Sequence, residues 1–392
     1  MQFFKNPDFD FLRWRIPVVI ASTIFILIGF GVMMTRGLNM GIDFAGGANV
    51  VIRFQETPPI AELRDVVADA TIQEYGPAEN HTLLLRLPQQ EIEGDYAGEV
   101  VRTLHERFNP EGDERLDLNY QGSDSLAELL QKEAGLSAAQ AATVADAIID
   151  HRSDFGIYTD FSQVREVEGV TTAIVGTLEE HTYLGAFNVL GQETVGPQIG
   201  AELQRKAALA IILSTLAMGV YIAIRFDIRF GFAAILCLFH DVAVALAFLA
   251  LIGGEFEIIT VAAFLMIIGY SINDTVVVYD RVRENVRKYR GKMEFNELLN
   301  LSMNQTLART IMTTGTTTMA VVCLIVFGGE VINEFSWILL VGALSGTYST
   351  LFVVSTIVLA WNRIVSRRSE KQVGTRRKAT ASMQNAENRA NG

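Results

Sequence analysis

The sequence predicts an all-α membrane bundle of six spans, joined to an extracytoplasmic α+β domain that carries a helical insertion. Three observations predict it. Half of the 392 residues are hydrophobic and the mean hydropathy is +0.27, too apolar for an ordinary soluble chain. The apolar residues gather into six runs, 16–35, 207–224, 230–252, 258–279, 310–328 and 335–361, each about the 18 residues or more that cross roughly 30 Å of hydrocarbon as a helix. Basic residues then alternate between the sides of these runs, and the long interval 36–206 is acidic.

Each element follows in order. Residues 1–15 form a cytoplasmic N-terminus with Lys5, Arg13 and Arg15. The run 16–35 could be a signal peptide, but it is long, ends in "MMTRG" and lacks a small-residue cleavage site, so it reads as an uncleaved anchor. Arg225 and Arg229 mark the turn after 207–224, and seven basic residues from Arg281 to Arg309 mark the segment after 258–279. Eight more follow Trp361. The turns "GGEFE" (253–257) and "GGEVINE" (328–334) carry none. This is the positive-inside pattern of six spans with both termini cytoplasmic. The segment 280–309 reads as a basic cytoplasmic loop whose Phe295, Leu298 and Leu299 lie along the membrane surface. The tail 362–392 is basic, polar and nearly free of aromatics, which predicts disorder.

Residues 36–206 carry 29 acidic and 12 basic side chains. This acidity argues against nucleic acid as a partner. The two cysteines, Cys237 and Cys323, both lie in spans, so the outer domain folds without disulfides. "GANVVIRFQ" (47–55), "TLLLRLP" (82–88) and "AFNVLGQETVG" (186–196) read as strands. "IAELRDVVADATIQEY", after Pro58–Pro59, and "DYAGEVVRTLHERF" (95–108) read as helices. The order predicts a small α+β sandwich. Residues 122–184 read as an inserted helical subdomain, with Ser137 and Asp160 as N-caps. Its "EGVTTAIVGTL" resembles a helix-hairpin-helix turn, yet an acidic module fits a protein-contact or structural role better than nucleic-acid binding.

Polar groups interrupt the spans at three places: His240 and Asp241 in the third, Asn273 and Asp274 in the fourth, and Arg309 at the start of the fifth, followed by six threonines including Thr313. A charge at bilayer depth costs roughly 2.5–3.5 kcal/mol or more, so it is kept only if paired, neutralised or facing a wet cavity. Asp274 lies about six residues, or ~9 Å, from the cytoplasmic end of its helix, within upward reach of Arg309. A polar seam between the fourth and fifth spans follows, able to bind and release a proton as its geometry changes. Bland readings stand beside this one: Arg309 as an interface anchor, the threonines bonded to their own helix, and His240–Asp241 as a structural pair. Gly342 and Gly346 in "GALSG" predict close helix packing. No nucleophile–base pair, phosphate loop or metal-ligand cluster stands out among the scattered histidines, so neither an enzyme nor a metal site is expected.

The stretches "GIDFAGG" (41–47), "VGPQIGAEL" (195–203), "YIAIRFDIRFGFAAILCLFHDV" (221–242), "IIGYSINDTVVVYDRVREN" (267–285) and "ARTIMTTGTTT" (308–318) resemble the SecF family of bacterial protein-export membrane proteins. That family is one half of the SecDF assembly, in the resistance-nodulation-division superfamily. The resemblance implies a six-helix half that joins SecD in a 12-helix unit in the inner membrane. It further implies neighbours in the SecYEG channel, YidC, exported preproteins and membrane lipid, with protons as the coupling ion and no other cofactor. Asp274 and Arg309 fall on the family's proton-path positions, with Asn273, His240, Asp241 and Thr313 as further candidates. Asp43, Gly46 and Gly47 match its membrane-exit motif and read as a tight structural junction. Ala45, Ala48 and the 122–184 insertion depart from the family pattern. Two rivals remain: a proton-coupled exporter of lipid or drug from the same superfamily, which would carry a second six-helix half, and a non-transporting assembly scaffold.

Overall fold

The computed structural model describes residues 7–68, 70–88, 95–109 and 115–390; Lys5 lies outside them. In chain order the elements are α1 (Phe11–Arg36), α2 (Ile42–Ala45), β1 (Gly47–Phe54), α3 (Ile60–Val66), β2 (Thr71–Glu74), β3 (Thr82–Pro88), α4 (Tyr96–Phe108), β4 (Leu116–Asp117) and α5 (Ser123–Glu133). They continue as α6 (Ala138–Phe155), α7 (Phe161–Val164), α8 (Thr172–His181), β5 (Thr182–Tyr183), β6 (Phe187–Val195), α9 (Pro197–Arg225), α10 (Ile228–Ile252), α11 (Ile258–Lys288), α12 (Phe295–Phe327) and α13 (Gly329–Ala390). Two compact units result: Met40–Gln204, and Met1–Asn39 with Arg205–Gly392.

The first unit is built on an antiparallel sheet in the order β2-β3-β1-β6. Val50 pairs with Leu85 and Ile52 with Leu83. Alternate residues Ala48, Val50, Ile52 and Phe54 of β1 are buried, the two-residue period of a half-buried strand. Leu63 of α3 and Val101 and Leu104 of α4 complete that core. Residues 122–184 form a second core of their own around Leu126, Leu130, Ile148, Tyr158 and Leu178. The expected caps are present: the side chains of Ser137 and Asp160 each close a capping box, with Gln140 and Gln163. A short parallel pairing of β4 with β5, Leu116 opposite Thr182, closes the base of the insertion. Buried Asn119 ties it further, donating to Tyr158 O (2.8 Å) and Gly185 O (2.9 Å).

The second unit contains α1 and α10–α13 with most of α9. Among the described residues six helices are long and apolar enough to cross a membrane. Three sequence expectations need correcting. The helix expected through Tyr75 stops at Val66, and 71–74 form β2, because Ile72 finds a ladder partner in Leu85; β-branched Thr71 and Ile72 suit a strand better than a longer helix. Residues 280–309 are not a loop lying on a surface. Helix α11 runs on to Lys288 and α12 begins at Phe295. Leu299, Met303 and Leu307, with Phe295 against them, pack with Val278 and Val282 of α11, and Asn285 donates to Ser302 (2.9 Å) and Gln305 (2.8 Å). The tail expected to be disordered continues α13 as helical backbone to Ala390; it is rich in Ala, Arg, Lys, Glu and Gln, all good helix formers.

Candidate functional site

The polar residues of the spans meet where α10, α11, α12 and α13 pack. Small residues permit it. A side chain at Gly346 of α13 would meet Ser271 Cβ of α11 at 3.0 Å, and one at Gly342 would collide with Ile267. The "GALSG" spacing thus seats α13 directly on α11.

Asp241 is wholly buried and fully coordinated. Its Oδ2 accepts from Ser271 Oγ (2.6 Å) and Ser349 Oγ (2.9 Å), its Oδ1 from Ser345 Oγ (2.8 Å), and His240 Nδ1 lies 3.1 Å away. Cys237 Sγ, one turn earlier on α10, is 3.9 Å from Oδ2. The other face of His240 reaches α1, with Nε2 3.1 Å from Ser22 Oγ. Four helices are thereby tied to one carboxylate. Sequence reading paired His240 with Asp241 but missed Ser345 and Ser349. Their i,i+4 spacing beside Gly342 and Gly346 was the available signal, since small residues admit close approach and hydroxyls fill the space left.

Asp274 is also buried, at 2% exposure, but almost bare. Among the described residues its Oδ1 accepts only from Thr313 Oγ1 at 3.4 Å, and its Oδ2 has no partner. The one hydroxyl proton of Thr313 is shared with the carbonyls of Arg309 (3.1 Å) and Thr310 (3.0 Å). Arg309 is exposed. It interacts with Asp274 electrostatically, but no ion pair joins them among the described residues. Asn273 is exposed too, because adjacent helical residues point about 100° apart; the structure does not bring it to Asp274. Ser271 precedes Asp274 by one helical turn, so the two carboxylates lie about a turn apart along α11.

The threonines divide. Thr314 bonds Thr347 of α13 (2.7 Å) and receives Tyr270 of α11 (3.2 Å). Thr316 bonds its own helix, while Thr310 and Thr318 have buried hydroxyl oxygens without a partner among the described residues. The seam therefore combines cross-helix bonds, back-bonds and unfilled positions. Among the described residues no group of His, Cys, Asp and Glu side chains is arranged to hold a metal.

In the other unit, Gly46 and Gly47 have φ of 76° and 124°, a region that favours glycine, and turn α2 into β1. Asp43 sits in the first turn of α2. A side chain at Gly200 would meet Phe44 O at 2.9 Å. The "GIDFAGG" and "VGPQIGAEL" stretches therefore pack backbone to backbone.

A family model described as protein export membrane protein SecD/SecF, C-terminal, matches residues 175–364 and so spans Asp241, Asp274 and Arg309. A second, the SecD/SecF GG motif, matches residues 31–58 and spans the Gly46–Gly47 turn. The protein translocase subunit SecF of Koribacter versatilis is 34% identical over 382 residues, 92% of this chain and 93% of that protein. The SecF of Rickettsia rickettsii is 34% identical over 93% of this chain and 95% of its own. The crystal structure of SecDF, a translocon-associated membrane protein from Thermus thermophilus, superposes with a TM-score of 0.63 at 30% identity, covering 91% of this chain and 39% of that one. SecDF in its super-membrane-facing form gives 0.57 at 29% identity, over 95% of this chain and 41% of that one. This chain spans about two fifths of those longer SecDF chains. It belongs to the SecF family of protein translocase subunits, and it is a multi-pass membrane protein.

Proposed function

We propose that this chain pairs with SecD in a 12-helix unit of the bacterial inner membrane and couples proton entry to the outward movement of exported polypeptides. Both termini lie in the cytoplasm in this reading, as the distribution of basic residues requires, and residues 36–206 meet preproteins outside. SecYEG is the channel served, with YidC as a neighbour for membrane insertion, among surrounding lipid. Protons are the coupling ion.

Asp274 is the observation that carries the reading. A buried carboxylate with one oxygen bare and the other held by a single shared hydroxyl is poorly compensated as an anion. It gains by taking a proton, or by drawing Arg309 inward to neutralise it. Those alternatives need different arrangements of α11 and α12, which is what converts proton occupancy into motion. The missing ion pair also speaks against a static Asp274–Arg309 strut and so against the scaffold reading.

Two experiments test this. Affinity purification from native membranes should bring SecD and SecYEG with the chain; their absence defeats the proposed assembly. The exchange Asp274→Arg with Arg309→Asp should preserve abundance yet abolish proton-dependent export, whereas a scaffold would work with the charges swapped.

A further inference from the structure

A pocket of about 340 Å³ opens in the Met40–Gln204 unit, between α4, β6, the 118–122 turn and the last turn of α6. Arg152 of α6 forms part of its wall while only 8% exposed. Its Nη1 donates to Leu118 O (2.6 Å) and Gln121 O (2.9 Å). Its Nε is buried without an acceptor, and Nη2 finds none among the described residues. With Nε sealed from solvent, Nη2 is the nitrogen left to hold an incoming anion through charge-assisted N–H bonds.

Among the described residues no carboxylate contacts it. Arg152 feels the charge of Asp117, but that carboxylate is already occupied by Asn119 N (2.8 Å), Gly185 N (2.9 Å) and His105 Nε2 (3.0 Å). Burial pushes the ionisation of Arg152 down from the ordinary arginine range, yet arginine keeps its proton at neutral pH. A buried cation without a contacting anion is costly, and an arriving anion relieves that cost. Two neighbouring groups are also open. The side chains of Tyr120 and Gln121 line the pocket and make no hydrogen bond among the described residues. Asn188 and Gln192 of β6 are committed, to Gly156 O (2.6 Å) and Asp95 Oδ1 (3.1 Å), while Val101 adds an apolar wall suited to methylenes. The surrounding domain, with 29 acidic and 12 basic residues between 36 and 206, repels anions at long range, so selection for one here falls to the buried guanidinium.

We propose that this pocket binds a carboxylate side chain, Asp or Glu, of an extended polypeptide, which accepts from Nη2 of Arg152, with Tyr120 and Gln121 donating from the rim. That the carboxylate arrives on a polypeptide rests on the export reading above; carboxylate recognition does not.

The test is calorimetric titration of the full chain in lipid nanodiscs with the blocked peptide acetyl-Ala-Gly-Glu-Gly-Ala-amide and its Gln counterpart. The Glu peptide should bind at least about tenfold more tightly, the size of discrimination expected when a charge-assisted pair is lost. Arg152→Gln should erase the difference. Tyr120→Phe, which leaves the carbonyl bonds of Arg152 in place, should reduce it. Equal binding of the two peptides by the unmodified chain overturns the proposal, and this comparison needs no variant. Survival of the Glu preference in folded Arg152→Gln also overturns it. Sodium propionate competing as well as the Glu peptide overturns the polypeptide assignment, and an acetylated peptide without acids but with a free C-terminus binding equally well overturns the side-chain assignment. Export failure alone moves none of these results, so the two readings fail separately.

Discussion

Asp241 and Asp274 are two buried carboxylates about one helical turn apart along the same packed seam, and they are built in opposite ways. Asp241 accepts from three serines on two helices and contacts His240, which links it to Ser22 on α1. Asp274 has one long contact to Thr313 and a bare oxygen. A carboxylate with every lone pair used gains little from a proton and fixes the helices that supply the donors. One left open responds to any proton, water or cation that reaches it. The contrast teaches that depth alone does not mark a coupling residue; deficit of partners does. The bundle holds an anchor and a responsive group side by side, and Ser271, at i−3 from Asp274, joins them.

Breaking the responsive half should have the largest effect. Asp274→Asn should leave abundance and thermal stability unchanged and lower proton-dependent export to the uncoupled background, a loss of more than about tenfold if Asp274 is an obligatory proton carrier; pulse-chase export in intact cells reads it. Breaking the anchor should act differently. Asp241→Ala strands three hydroxyls and His240, and at about 0.6 kcal/mol per intramembrane hydrogen bond the bundle should lose roughly 2 kcal/mol. This should appear as a lower melting temperature in detergent, with export falling only as far as abundance falls. Should Asp241→Ala melt normally yet block export, the two roles would have to be exchanged.

Thr313→Val sharpens the contrast with a smaller change. It removes the one hydroxyl that touches Asp274 and keeps the shape, so export should persist while its pH optimum moves upward, as the anion loses its donor. An unshifted pH profile would mean that the 3.4 Å contact carries no weight. The smallest effect belongs to the other unit. Burial holds the Asp117 carboxyl above its ordinary value of 3.8, despite the opposing N–H bonds from Asn119 and Gly185 and the nearby His105. A carboxyl raised in the folded state takes up a proton more readily folded than unfolded. Its contribution to stability is therefore full below 3.8 and is lost as pH rises through the folded value. The stability of the unmodified chain relative to Asp117→Asn should decline across that interval, and a flat difference would contradict the assigned cause.

Much of this architecture was legible because hydropathy and charge act locally. Six apolar runs became six helices, and the caps at Ser137 and Asp160 formed where the Ser-x-x-Gln and Asp-x-x-Gln spacings place them. What was not legible depends on distant partners. The segment at Thr71–Glu74 is a strand only because Leu83–Arg86 lie beside it. The polar start of α12 looked like a loop because Ser302, Asn304 and Thr306 are buried among polar and apolar neighbours that hydropathy cannot weigh together. Asp274 stood out in sequence by depth, but its bare oxygen is a fact of packing. The cage of Asp241 draws on Ser345 and Ser349, more than 100 positions away, and no local pattern announces it. No sequence pattern singles out Arg152; the pocket beside it arises only when the insertion folds back on the sheet.

The most direct test of the central claim is proton flux. Proteoliposomes holding the chain with its SecD partner, given an imposed pH gradient, should take up protons at a rate that a lumenal pH dye can follow. With Asp274→Asn at equal protein density that flux should vanish, while Asp241→Asn retains it in proportion to the folded protein present. Undiminished flux in Asp274→Asn would contradict the account.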